Sequence, residues 1–87
     1  MDEQAQWWTR RAFMHTPERM AQIAIEARKA QNWSTSDLAR AANVSPNTVA
    51  LVESGQPTII NLNDVRAIFT ALKIKVLALP ATLTGGK

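Results

Sequence analysis

The chain of 87 residues contains no cysteine and a single histidine, His15. The absence of cysteine excludes disulfide bonds and thiolate metal sites, and it is compatible with a reducing compartment. No apolar run exceeds four residues, whereas a membrane-spanning helix needs about 20. The N-terminus, with Asp2 and Glu3, lacks the apolar core of a signal peptide. We therefore expect a cytoplasmic protein with no membrane partner.

The residues that an active site would need are also scarce. A lone histidine beside a helix start offers neither a catalytic group nor a metal ligand set, and the three glycines form no phosphate-binding loop. The carboxylates are spread along the chain, and helix capping explains their positions better than catalytic pairing does. The sequence therefore predicts no enzymatic activity, no cofactor and no metal site.

The sequence is moderately basic, with a formal net charge of +3 and a pI near 10.0. Hydrophobic residues make up 46% of it, which is ordinary for a soluble globular domain and argues against general disorder. A chain of this length forms one domain with a modest core, and such small domains are often stabilised by oligomerisation. The positive charge permits binding to a polyanion but does not by itself establish it.

The stretch from Trp33 to Gly55 predicts two short helices joined by a tight turn. Ser34 is expected to cap the first of them, since Asp37 stands three residues later, as in a capping box. Asn43 then breaks the helical repeat of apolar residues, and asparagine tolerates the left-handed backbone that a tight turn requires.

The second helix of this unit has its own start and stop. Ser45 is expected to cap it, and Pro46 fits the first helical position, where a missing N–H costs nothing. Val49 and Val52 are spaced to face inward. Gly55 is expected to end the helix.

One further helix is expected on each side of this unit. The pair Thr16–Pro17 gives a cap followed by a first helical residue, which predicts a helix over 17–31. Asn61, with Asp64 three residues later, predicts a second capping box at the start of a helix over 62–72.

Residues 1–15 form an N-terminal arm that we expect to be helical, because no glycine or proline interrupts its first 14 residues. Trp7 and Trp8 are its most notable feature. They are expected to pack onto the domain or onto a partner subunit, and the alternative is a docking surface for another protein.

The C-terminal part of the chain changes character at Ile74–Leu79, which is apolar and rich in β-branched residues and so predicts a strand. Pro80 ends it, and residues 81–87 are expected to form a flexible tail. One strand cannot satisfy its own backbone hydrogen bonds, and no second good strand is evident in the sequence. We therefore expect pairing with the same strand of a second copy, through Ile74, Val76, Leu77 and Leu79; the alternative is a last helical turn or a disordered tail.

The predicted fold is thus all-α, a helix-turn-helix bundle of about five helices. The helical domain covers residues 16–73, and a dimerising strand covers residues 74–80. A helix-turn-helix places its second helix in the major groove of double-stranded DNA, with the first residues of that helix against the base edges.

Several side chains of the second helix suit the reading of bases. Asn47 is the best candidate, because its amide can bond bidentately to adenine. The hydroxyls of Ser45 and Thr48 can donate or accept, and Ala50 and the Thr48 methyl group can touch a thymine methyl. The helix carries no arginine or lysine, so the strongest contact to guanine is missing.

Phosphate groups would be held at other positions. Free helix N-termini bind phosphates through backbone amides, and the helix starts at Thr35 and Leu62 suit this role, with Gln56, Thr58 and Asn61 nearby. Each feature also has a structural explanation: Ser45 is needed as a cap in any case, and helical hairpins occur in domains that bind no DNA.

The stretch from Ile23 to Pro80 resembles the phage-repressor-type helix-turn-helix family, also called the XRE family. The matching pieces are EARKAQNW, STSDLARAANVS, PNTVALVESG and NLNDVRAIFTALKI, in the order and spacing of the family. The strand IKVLALP after the last helix is similar to that of the smaller HipB-type antitoxin group, in which two such strands pair across a dimer. The resemblance implies a lambda-repressor-like fold and binding to DNA.

The resemblance also implies roles for individual residues. Thr35 stands where the family often has a glutamine that contacts the DNA backbone. Arg28 and Glu53 stand where an ion pair often joins the first helix to the recognition helix. The base-facing positions of the family fall on Ser45, Pro46, Asn47 and Ala50.

The expected function is sequence-specific binding of a homodimer to a palindromic operator, which represses transcription. An alternative is an antitoxin that also binds and neutralises a toxin protein, with Trp7 and Trp8 as a docking site. A weaker alternative is a purely structural dimerisation module.

Overall fold

A computed structural model describes residues 10–56 and 60–80 of the chain. These ranges contain four helices and two strands: β1 (Arg10–Phe13), α1 (Pro17–Ala30), α2 (Thr35–Ala42), α3 (Pro46–Glu53), α4 (Leu62–Ala71) and β2 (Ile74–Ala78). None of the described helices is both long and apolar enough to span a membrane.

Short polar caps fix where the first two helices begin. The Thr16 side chain accepts a hydrogen bond from the Arg19 amide at 3.1 Å, and Pro17 opens α1. Before α2, the Ser34 hydroxyl accepts from the Asp37 amide at 3.0 Å, while the Asp37 carboxylate accepts from the Ser34 amide at 2.9 Å. These paired bonds form the predicted capping box, and they satisfy two amides that a helix start leaves open.

The turn between α2 and α3 also follows from its residues. Asn43 adopts the left-handed conformation, with φ of 59°, which lets the chain reverse within a few residues. The Ser45 hydroxyl then accepts from the Thr48 amide at 3.2 Å, and Pro46 opens α3. After α3, Gly55 has φ of +73°, a conformation that glycine adopts without steric cost.

The start of α4 differs in detail from the predicted capping box. The Asn61 side chain accepts from the Asn63 amide at 2.7 Å rather than from the amide of Asp64. Asn61 still caps the helix, one residue earlier in the first turn than the prediction places the bond. The helix ends at Ala71, and Lys73 takes a left-handed conformation, with φ of 63°, before β2 begins.

The core lies among the four helices, with α2 packed against α3 and α4, and α1 packed against α3. Burying one large apolar side chain stabilises the fold by about 1.5–3 kcal/mol, so this cluster is the main source of stability. Its largest fully buried side chains are Met14, Leu38, Val49, Val52, Val65, Ile68, Phe69 and Leu72.

The two strands pair in parallel within one chain, and β2 packs against α4. The register sets Arg10 opposite Ile74 and Arg11 opposite Lys75, and it shifts between Ala12 and Phe13. Beyond β1, the Met14 amide donates to the Ala78 carbonyl oxygen at 3.0 Å, and the Met14 side chain is fully buried.

This pairing corrects two expectations. Residues 10–13 form a strand and not part of a helical arm, because β2 supplies their hydrogen-bond partners. The sequence around β1 does not indicate this pairing. The described residues contain four helices, and the fifth expected helix is not confirmed there. The expectation that no second strand exists is wrong as well, so the argument that β2 needs another copy to satisfy its backbone is also wrong. Trp7, Trp8 and the tail over 81–87 lie outside the described residues.

Candidate nucleic-acid interface

Helix α3 is fixed by its inner face and open on its outer face. Val49 and Val52 are buried in the core, which sets the rotation of the helix about its axis. The residues predicted to face bases therefore lie on the opposite side, and their placement follows from this anchoring. Ser45, Pro46, Asn47 and Ala50 are exposed, and Thr48 is half-buried.

The three polar side chains of this face differ in whether they already take part in hydrogen bonds within the protein. The hydroxyls of Ser45 and Thr48 lie 3.0 Å apart and bond to each other, and the Ser45 hydroxyl also accepts from the Thr48 amide. The Asn47 side chain has no hydrogen-bond partner within the described ranges. Its amide is therefore the polar group on this face that is available for a new bidentate contact.

The structure brings Arg28 and Glu53 together. The Arg28 Nε donates to Glu53 Oε2 at 2.8 Å, and a second guanidinium nitrogen donates to Oε1 at 3.2 Å. The side chains are only 13% and 10% exposed, respectively. Such a two-pronged contact fixes both the distance and the orientation of its partners.

This ion pair joins three parts of the helical unit. Arg28 lies on α1 and Glu53 on α3, and the remaining guanidinium nitrogen of Arg28 donates to the Trp33 carbonyl oxygen at 2.8 Å. Trp33 immediately precedes the cap of α2. The guanidinium group therefore ties the end of α3 and the entry to α2 to one helix, which holds the outer face of α3 in place.

The residues predicted to meet the DNA backbone are less uniform. Thr35 is exposed as the first residue of α2. Gln56 is exposed, with its amide donating to the Ser54 hydroxyl at 3.2 Å. Asn61 is exposed as well, but its side-chain oxygen is already used as a helix cap. Thr58 lies outside the described residues.

The start of α2 carries a negative charge of its own. The pKa of Asp37 lies below its ordinary value, chiefly because the Ser34 amide donates to the carboxylate, with smaller contributions from the Ser34 side chain and the Arg40 charge. The Arg40 guanidinium lies 3.6 Å from the carboxylate, and both side chains are exposed. An ionised carboxylate stabilises a helix N-terminus, but at this place it also opposes a phosphate.

Charge is distributed unequally along the chain. Residues 17–64, which include all of α1 to α3, carry five carboxylates and four cationic side chains, so their formal net charge is −1. Residues 65–80, which include the rest of α4 after Asp64 and all of β2, contain Arg66, Lys73 and Lys75 and no carboxylate, and residues 10–16 contain two arginines and no carboxylate. Because α4 itself carries one carboxylate, Asp64, beside Arg66, the positive charge of the described residues is concentrated in the two strands and in Lys73.

Sequence reasoning missed two features near the site. The strand β1 was not predicted, because four residues with two arginines show no alternating pattern. A groove of about 250 Å³ beside β2 was also missed, since it is formed by two elements together; its lining residues are Leu62, Arg66 and Val76–Pro80.

Comparison with protein families gives one match. A family model described as helix-turn-helix matches residues 25–79, which is more than half of the chain. No curated protein and no solved structure matches the chain significantly. The matched range runs from α1 through the exposed face of α3 to the end of β2. The chain therefore belongs to the XRE class of helix-turn-helix proteins and is a DNA-binding transcription regulator.

Proposed function

We propose that the protein is a repressor that binds a palindromic operator as a homodimer, with α3 of each copy in the major groove. The observation that carries the proposal is the outer face of α3. It begins at Ser45 and stays exposed, although Val49 and Val52 bury the opposite face. The major groove of B-DNA is wide enough to admit such a helix.

Asn47 is the central reader of bases in this proposal. Its unpaired amide can donate to one acceptor and accept from one donor on the same adenine. The methyl groups of Ala50 and Thr48 then suit contact with thymine. Since α3 carries no arginine or lysine, its preferred half-site is rich in A·T pairs.

Thr35 and Gln56 contact the DNA backbone in this arrangement, and their neutral groups fit the low charge of this part of the chain. Thr58 and the exposed start of α4 at Asn61 are assigned to the same backbone. Neutral donors position the protein on phosphates without carrying sequence information.

The homodimer is proposed to form along the second edge of β2. The described sheet has two strands in the order β1–β2, so this edge has no paired strand within the described residues. Leu77 is 41% exposed, and the groove between α4 and β2 lies next to it, lined by apolar side chains and Arg66. A twofold axis at this edge lets each copy present Leu77 and the exposed parts of Val76 and Leu79 to the other, whereas Ile74 is buried in the core of its own chain.

Such a dimer constrains the operator. Two α3 helices in successive major grooves on one side of the duplex lie about 34 Å apart, which corresponds to half-sites one helical turn apart. Selection of bound sequences from a random duplex pool gives the operator and its symmetry. Recovery of only asymmetric single sites would contradict the dimeric proposal.

The assigned reader is tested by Asn47→Ala on the selected operator and on single-base variants of it. We expect loss of discrimination at one or two base pairs, by about 1–3 kcal/mol each. Thr70→Ala is the matched control, because Thr70 is exposed on α4 and has no assigned role. If Asn47→Ala discriminates every operator variant as the wild type does, Asn47 is not a reader.

The dimer edge is tested by Leu77→Asp in sedimentation equilibrium. We expect monomers with an unchanged helical circular dichroism spectrum, because Leu77 is not part of the buried core. Operator affinity should fall with the loss of the second half-site. A Leu77→Asp protein that stays dimeric would show that the copies meet elsewhere.

A further inference from the structure

The outer face of α3 carries two apolar side chains on either side of the Asn47 amide. Val49 and Val52 are buried and mark the inner side of the helix. With about 100° of rotation per residue, Asn47 lies about 170° around the helix from the midpoint of the two valines. Ala50 and Leu51 each lie about 130° from that midpoint, one on each side of Asn47. We call Asn47, Ala50 and Leu51 the outer patch of α3.

Leu51 is the largest side chain of the outer patch, and its position is fixed. It is half-buried, because one side of it packs against the core. Its carbonyl oxygen accepts a hydrogen bond from the Ser54 hydroxyl at 2.8 Å, which holds the end of α3. The exposed part of Leu51 therefore has a defined place beside Asn47.

The outer patch differs from the outer face of an ordinary surface helix, which carries charged or polar residues opposite its buried stripe. The charged residue of α3 is Glu53, which pairs with Arg28, and Thr48 bonds to Ser45. The outward positions one turn after Asn47 are apolar instead. An apolar partner suits them better than a phosphate group does.

The major groove offers such a partner in one chemical form. Adenine, guanine and cytosine present hydrogen-bonding groups there, whereas thymine also presents a methyl group. Cytosine methylated at the same ring carbon presents that methyl group at the same place. A large apolar side chain that faces the bases is therefore complementary to a pyrimidine methyl group.

The spacing within the outer patch places this contact next to the base that Asn47 reads. Leu51 stands four residues after Asn47, which is about 6 Å along the helix axis. That distance is close to two steps of about 3.4 Å along the duplex. The amide of Asn47 and the side chain of Leu51 can therefore meet neighbouring base pairs.

We propose that Leu51, together with Ala50, reads a pyrimidine methyl group close to the adenine assigned to Asn47. This makes Leu51 a specificity-determining residue, and the methyl group belongs to thymine or to methylated cytosine. The inference rests on the proposed placement of α3 in the major groove. It makes operator binding sensitive to cytosine methylation wherever a cytosine stands at the Leu51 position.

The test uses the full chain and the operator selected from the random duplex pool. Each thymine near the pair at which Asn47→Ala loses discrimination is replaced in turn by deoxyuridine, which lacks only the methyl group. At one thymine the wild type should bind about fourfold more weakly, since burying one methyl-sized group changes affinity by about this factor. When that thymine is replaced by cytosine, methylation of the cytosine should raise affinity by a similar factor.

Two variants assign the effect to one side chain. Leu51→Ala should bind the thymine and deoxyuridine duplexes nearly equally, whereas Leu51→Met, of similar size, should keep the difference. The ratio of the two affinities is taken within each variant, so a lower stability of Leu51→Ala does not change it. Thr70→Ala, on the exposed side of α4, is the matched control and should keep the wild-type ratio.

The outcomes separate this inference from the proposed function. A deoxyuridine effect that is lost in Leu51→Ala supports the contact, and the response to cytosine methylation shows whether methylated cytosine can replace thymine. An equal deoxyuridine effect in the wild type and in Leu51→Ala would overturn it, because Ala50 or Thr48 would then hold the methyl group. Tight operator binding without any methyl effect would also overturn it while operator binding stands. Failure to select any operator would instead contradict the proposed function, and this inference with it.

Discussion

The helix-turn-helix unit and the terminal sheet are stabilised in different ways. In the unit, each helix start is fixed by a residue within three positions of it, as in the Ser34–Asp37 capping box. In the sheet, β1 and β2 stand at opposite ends of the described chain and depend on each other for hydrogen bonds. The comparison shows that local interactions fix the helix starts in the part assigned to DNA, whereas the strands of the part assigned to protein contacts depend on a long-range pairing.

The largest expected effect concerns the ion pair between Arg28 and Glu53, which joins α1 to α3. Glu53→Ala leaves the largely buried Arg28 guanidinium without its partner and should lower the free energy of unfolding by about 3–5 kcal/mol. Urea denaturation measures this loss, and Glu26→Ala is the control, because Glu26 is exposed on α1. Similar costs for both substitutions would mean that the ion pair does not join α1 to α3 in solution.

Met14 tests how strongly the sheet is coupled to the helices. It follows β1 and is fully buried in the common core. Met14→Ala should therefore cost about 2–5 kcal/mol through lost burial and the cavity left behind. Thr70→Ala, on the exposed side of α4, is the comparison in thermal unfolding. If Met14→Ala costs no more than this control, β1 is only loosely attached to the helical core.

Two of the three described non-glycine residues in the left-handed conformation allow a direct comparison of the turns in the two regions. Lys73 precedes β2 with φ of 63°, and Asn43 joins α2 to α3 with φ of 59°. A side chain other than asparagine or aspartate is strained in this conformation, but glycine loses more entropy on folding. Lys73→Gly should therefore raise stability by about 0.5–1 kcal/mol, and Asn43→Gly should change it less.

Thermal melting of the two glycine variants measures this difference. A Lys73→Gly protein that is less stable than the wild type would show that the lysine side chain makes a contact that outweighs its backbone strain.

The smallest effect is a pH dependence located in the helical unit. The pKa of Asp37 is lower in the folded protein than in the unfolded chain. Its contribution to stability is therefore complete above the unfolded value of about 4 and is lost as the pH falls through the lowered folded value. Asp37→Asn should flatten the loss of stability in this acid range. Identical acid unfolding curves for the variant and the wild type would contradict a stabilising role for the carboxylate.

The contrast between local helix caps and long-range strand pairing explains how much of the structure could be predicted from the sequence. Thr16, Ser34 and Ser45 each combine with a residue one to three positions later, so they predicted three helix starts that the structure contains. Asn43 likewise predicted the turn, because few other residues adopt its backbone conformation. Such predictions need only information that lies within a few residues.

Only one of the two strands of the terminal sheet, β2, could be predicted from the sequence. β2 has a strand-like composition, but β1 becomes a strand only beside β2, and the residues of β1 do not carry that information. The exposed face of α3 could be placed from the spacing of Val49 and Val52. The pairing of Arg11 with Lys75 could not, since a register between two distant segments creates it.

The parallel pairing of β1 with β2 has a consequence for the order of assembly during synthesis. β1 leaves the ribosome before any helix of the described chain, but its partner strand is made only after α4. The helices can form their local contacts before β2 is available to pair with β1. Long-range pairing of this kind is also slow to form. Until β2 emerges, Met14 and the arginines before it have no sheet to join, so the first described segment to be translated is the last to reach its final place.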